Sequence, residues 1–75
     1  MNKQRRKELE KIIDQLESIR EQLSELADEE RECFENAPES LQSSDRFAQM
    51  EENADELENS ADNVDEIITD LENLL

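Results

Sequence analysis

The sequence predicts an all-α fold: an antiparallel two-helix hairpin of coiled-coil type, expected to dimerise into a four-helix bundle. Three observations predict it. Apolar residues recur at steps of three and four along two long segments, the only proline lies between those segments, and no glycine or β-rich run interrupts either one.

The first segment carries Leu9, Ile12, Leu16, Ile19, Leu23, Leu26, Glu30, Cys33 and Ala37 at this spacing. In heptad terms a is Leu9, Leu16, Leu23, Glu30 and Ala37, and d is Ile12, Ile19, Leu26 and Cys33. In the second segment a is Phe47, Ala54, Ala61, Ile68 and Leu75, and d is Met50, Leu57, Val64 and Leu71. The residues between are mostly Glu, Asp, Gln, Lys and Arg, which are at home on a solvated helix face. Leu, Ile, Phe and Val make up 17 of 75 residues. That is slightly above the ~20% that marks disordered chains, and two unbroken stripes weigh further toward a folded one. One domain, residues 1–75, is expected: a helix over about 3–36, a turn over about 37–43 and a helix over about 44–74.

Pro38 removes a backbone donor and disfavours α geometry at Ala37, so the first helix ends there. A short helical turn fits just after it. Ser43, Ser44 and Asp45 are each competent N-caps for the second helix. Leu41 is expected to fold over Phe34 and Phe47 and close that end of the core. So short a connection makes the helices antiparallel neighbours. Centred near residue 40, the turn sets Leu26 against Ala54, Leu23 against Leu57, Ile19 against Ala61, Leu16 against Val64 and Ile12 against Ile68. Apolar residues also spill beyond the seam, at Ile13, Ala27 and Phe34 on one helix and Ile67 and Leu74 on the other. A stripe this wide suits a bundle. Ile13, Phe34, Ile67 and Leu74 are therefore the expected face for a homodimer.

The charges are lopsided. Eight Lys and Arg face 23 Asp and Glu, for a net charge of −15. Five of the eight cations fall within the first 11 residues, where they oppose the helix dipole. In a hairpin they would lie near Asp70 and Glu72, making a mildly basic open end. From Asp45 onward there are 11 acids, one Arg and no Lys, net −10. The candidate partner-binding residues are on this second helix: Glu51, Glu52, Asp55, Glu56, Glu58, Asp62, Asp65 and Glu66.

Composition also excludes function classes. Without glycine there is no phosphate-cradling loop and no EF-hand turn. Without histidine there is no His-based acid–base pair, and the common zinc and di-iron sites lose a ligand. The many adjacent carboxylates are a solvated face, since glycosidase-type chemistry needs a cleft to split two pKa values. No enzyme activity, cofactor or metal is expected. The acidity argues against direct nucleic-acid binding, which uses Lys and Arg to neutralise phosphates. No run approaches the roughly 18 apolar residues of a membrane span, and Glu8 and Glu10 interrupt any signal-like start. A soluble, cytoplasmic protein is expected.

Single residues carry two readings each. Cys33 at d is a small core hydrophobe or, alternatively, an intersubunit disulfide or reactive thiol. Glu30 is a tolerated polar break in the seam or a register-fixing contact to Arg31 or Arg46 of a partner chain. Phe34, Leu41 and Phe47 close the core or form an exposed anchor for a partner.

The opening Lys3, Arg5, Arg6 and Lys7, the Asp28-Glu29-Glu30 run, Pro38-Glu39-Ser40-Leu41-Gln42 and Met50-Glu51-Glu52 also stand out together. With these features the chain resembles, over nearly its whole length, a group of short acidic helical proteins encoded in phages and prophages of low-GC Gram-positive bacteria. The resemblance implies a phage-linked protein acting in the host cytoplasm, with no catalytic residue to carry over. It makes anti-defence activity, anti-CRISPR or anti-restriction, the most concrete expectation. The partner would be a basic, nucleic-acid-binding host effector whose groove the acidic rod occupies as a DNA mimic. The alternative is a structural or assembly coiled-coil module that oligomerises or scaffolds a partner helix.

Overall fold

In a computed structural model, which describes residues 1–42 and 45–75 (for 41 and 42 the backbone only), the chain is an α-helical hairpin. Helix α1 spans Lys3–Glu35, a single turn α2 spans Glu39–Gln42, and α3 spans Asp45–Glu72. No strand occurs among the described residues. The molecule is a rod, 59 × 14 × 12 Å across its Cα atoms. Its radius of gyration is 17.2 Å, against about 11 Å for a compact chain of this length.

The helix ends follow from local chemistry. Asn2 caps α1, its side-chain oxygen accepting from the Arg5 backbone N–H at 2.8 Å. Asn is among the best residues for that task, so this signal was available in the sequence. The other end closes on Asn36, whose N–H reaches back to the Glu32 carbonyl, and on Ala37, which bonds the Phe34 carbonyl at 3.2 Å. Pro38 follows and the backbone breaks. Asp45 opens α3 with a negative charge in its first turn, favourable to the dipole. The candidate caps Ser43 and Ser44, and the Leu41 side chain, lie outside the described residues.

The seam is formed as expected on α3 and is rotated on α1. On α3 Ala54, Ala61 and Ile68 are buried, with Phe47, Met50, Leu57, Val64 and Leu71 half-buried beside them. Leu75, placed in the seam by spacing, lies past the end of α3 and is exposed. On α1 the row Leu9, Leu16, Leu23, Glu30 and Ala37 faces inward. Its companions, however, are Ile13, Arg20, Ala27 and Phe34, while Cys33 is exposed and Ile12, Ile19 and Leu26 are 47%, 45% and 49% exposed. The expected d row has turned outward, and residues expected to spill beyond the seam have turned in.

The physical reason is that α1 carries two competing apolar stripes. Rotation brings Arg20 and Arg31 toward the carboxylates of α3, and it sets small Ala27 where a close helix approach needs it. Arg20 pairs with Asp65, and Arg31 with Asp55 at 2.9 Å and Glu58 at 3.1 Å. These pairs also shift the register by about one helical turn from a hinge centred near residue 40. All five expected facing pairs are therefore replaced, those of Leu23 with Leu57 and Leu16 with Val64 included.

Rotation makes a specific expectation for stability. Ile13 is 5% exposed, so Ile13→Ala should cost about 2–5 kcal/mol. In urea unfolding followed by circular dichroism, a loss below 1 kcal/mol would count against the rotated seam.

Candidate functional site: the two flanks of the hairpin

Taking Ile13 and Ala27 of α1 and Ala54, Ala61 and Ile68 of α3 as the a positions assigns every other residue to a side. In an antiparallel pair e lies beside e on one flank, and g beside g on the other. Arg31 and Glu58 are both e, and they are ion-paired, which confirms the assignment.

The e flank is charged. It holds Glu10, Glu17 and Arg31 from α1 with Glu51, Glu58, Asp65 and Glu72 from α3. The g flank carries Ile12, Ile19, Leu26 and Cys33 from α1, beside Asn53, Ser60, Ile67 and Leu74 from the second segment. No acid occurs among those eight positions, although 23 of the chain's 75 residues are acids. Ile67 and Leu74 are 48% and 56% exposed. The flanks therefore differ in kind: one is anionic, and the other is apolar along its middle and carries only the cations Arg5 and Arg46, at the g positions of its two ends.

All eight candidate partner-binding acids, Glu51, Glu52, Asp55, Glu56, Glu58, Asp62, Asp65 and Glu66, are exposed. They do not act alike. Asp55, Glu58 and Asp65 are engaged by Arg31 and Arg20, whereas the other five make no ion pair among the described residues. The hydrogen bond to Asp65 raises the Arg20 guanidinium above its ordinary value. The hydrogen bond to Glu58, followed by its charge, does the same for Arg31. A raised basic group adds stability that is present below its unfolded-state value and is lost only above its folded one. Both arginines therefore stay charged throughout the working range. None of the five cations in residues 3–11, expected to lie near Asp70 and Glu72, is ion-paired among the described residues.

Of the expected oligomer-face residues, Ile13 and Phe34 belong to the seam within the chain, and Ile67 and Leu74 are exposed. Sequence spacing missed Ile12, Ile19 and Leu26 as surface residues, because their periodicity is as good as that of the residues that replaced them. Cys33 is likewise a surface thiol. With Leu26, Glu29, Glu30 and Leu57 it lines an open groove of about 400 Å³. Glu30 is half-buried in that wall, and the ion pairs across the hairpin beside it are made by its neighbour Arg31, to Asp55 and Glu58. A second depression, about 260 Å³, is bounded by Asp65, Glu66, Thr69 and Asp70 of α3. Thr69 Oγ1 there donates to the Asp65 carbonyl rather than to an open site.

Among the described residues no three His, Cys, Asp or Glu side chains converge to hold a metal ion. No helix is long and apolar enough to cross a membrane. Comparison with protein families, characterised proteins and solved structures yields no match.

The ion pairs lie in solvent, so salt should screen them. Arg31→Gln should lower the melting temperature slightly at low ionic strength, with the difference shrinking in molar salt. The difference should hold from neutral to mildly alkaline pH. A deficit that ignores salt would mean Arg31 acts by packing its stem, not by charge.

Proposed function

We propose that this chain is a non-catalytic protein-binding module whose anionic side occupies a basic groove of a nucleic-acid-binding protein, as a DNA mimic. The observation that supports this most is the row of exposed acids along α3, which has no lysine to offset them. They are held on a stiff rod 59 Å long, so their spacing is set before any partner arrives and little ordering is needed on binding. In its most concrete form, drawn from the resemblance to phage-encoded acidic proteins, the partner is a host defence effector of the CRISPR or restriction type, met in the host cytoplasm.

Magnitude limits how strong one copy can be. A net −15 along 59 Å is roughly one charge per 4 Å, whereas duplex DNA carries one per about 1.7 Å of axis. A single hairpin thus offers less than half the linear charge density of the ligand it would replace. A second reading, a structural module that oligomerises or scaffolds a partner helix, is favoured by the acid-free flank of Ile12, Ile19, Leu26, Ile67 and Leu74.

Neutralisation separates the two. Replacing Glu51, Glu52, Glu56, Asp62 and Glu66 one after another by Gln or Asn should weaken binding to a candidate effector stepwise. Wild-type affinity should also fall steeply between low and high salt, as read by titration calorimetry. Binding indifferent to both treatments would remove the mimic. A scaffold would instead fail on Ile67→Asp. Ile13→Asp would not discriminate, because it breaks the hairpin itself.

A further inference from the structure

The acid-free flank is more than a leftover of helix geometry. On α1 its apolar members recur every seven residues at Ile12, Ile19 and Leu26, each nearly half exposed, and Cys33 continues the row. Ile67 and Leu74 lie on the same side. Two adjacent helices each presenting a second apolar row is the pattern of a bundle with one layer uncovered.

Area and charge say what covers it. The accessible surface is 5741 Å², while a compact folded chain of this mass exposes about 4,800 Å². The excess, roughly 900 Å², is spread over the whole 59 Å rod, so the chain leaves more surface open than a compact fold of its mass and gains by packing lengthwise against another rod. The flank has no acid at these positions to offer a basic partner, and the charges at its two ends, Arg5 and Arg46, are cations. Another copy of this chain, by contrast, can meet it flank to flank, like on like, with most acids of both copies away from the contact and only Glu29 and Glu30 in the groove wall beside it. That is the self-complementary surface a two-fold interface requires. The open groove between Leu26, Cys33 and Leu57 gives room for side chains of the incoming helix.

We propose that Ile12, Ile19, Leu26 and Cys33 of α1, with Ile67 and Leu74, form the interface on which a second copy of this chain docks, completing a four-helix bundle with its acids outward. This inference stands apart from the mimic reading, since it rests on the opposite flank. If both hold, the dimer doubles the charge carried by a rod of the same length and brings its linear density near that of duplex DNA.

Sedimentation equilibrium tests it. The wild type should run at twice its 8.8 kDa chain mass at micromolar concentration. The dimer fraction should rise with salt, because two strongly anionic copies repel one another less when screened. That is the opposite of the salt response expected for a basic partner, so the two ideas fail separately. Ile19→Glu should raise the dimer Kd at least ~100-fold, one buried isoleucine being lost from each copy, while the monomer stays helical. In the wild type, Cys33 should react with a thiol reagent more slowly as protein concentration rises. A wild type that stays monomeric and fully helical overturns the proposal and leaves the flank to a foreign helix. Cys33 reactivity independent of concentration overturns it as well, even if the Ile19 variant fails to fold.

Discussion

Everything in this molecule depends on one narrow line of contact between α1 and α3. Among the described residues the buried ones are Ile13, Ala27, Ala54, Ala61 and Ile68, three of them alanines. Alanine lets helices come close but brings little apolar area, so the seam is well fitted and thin. A single core in a chain this short seldom supplies more than 3–5 kcal/mol, and self-repulsion among the acids works against it. The ion pairs of Arg20 and Arg31 cross between the helices in this register and, lying in solvent, add little to the seam.

That rotation gives the hairpin its two unlike sides. Had Ile12, Ile19 and Leu26 turned inward, the row left outside on α1 would have been Ile13, Arg20, Ala27 and Phe34, broken by a cation and less apolar. Because they face out, one flank concentrates apolar area and the other concentrates charge. The three cations after residue 11 are Arg20, Arg31 and Arg46. Two of them are spent on bridges within the chain, so little positive charge is left to break the anionic surface of α3. Stability and surface chemistry are thus joined at the same two arginines.

The elements were legible in the sequence because they depend on local rules. Period, proline and composition fix two long helices, whose bounds fall within two residues of the expected ones. The α3 seam was legible too, since only one stripe on that helix is continuous. The α1 seam was not. Ile12 and Ile13 both begin good apolar rows, and choosing between them requires knowing how α1 packs against α3. That is a long-range fact, invisible to any window along the chain. The acids of α3 could be named as exposed, but not which three would be engaged. Asn2 as a cap was readable from its type alone.

The order in which the two bridges can form follows from where the chain folds back. Arg31 and Asp55 are 24 residues apart, Arg20 and Asp65 are 45. Closing the longer loop outright costs about 0.6 kcal/mol more, so the hairpin should zip from the Pro38 end outward, quickly, as structures rich in short-range contacts do. The end holding Leu9, Ile12 and Leu71 is then the last to close and the first to fray. A neighbouring molecule laid along Ile12 and Leu74 would act as a clasp on that loose end, and whatever occupies the flank would decide how long the zipper stays shut.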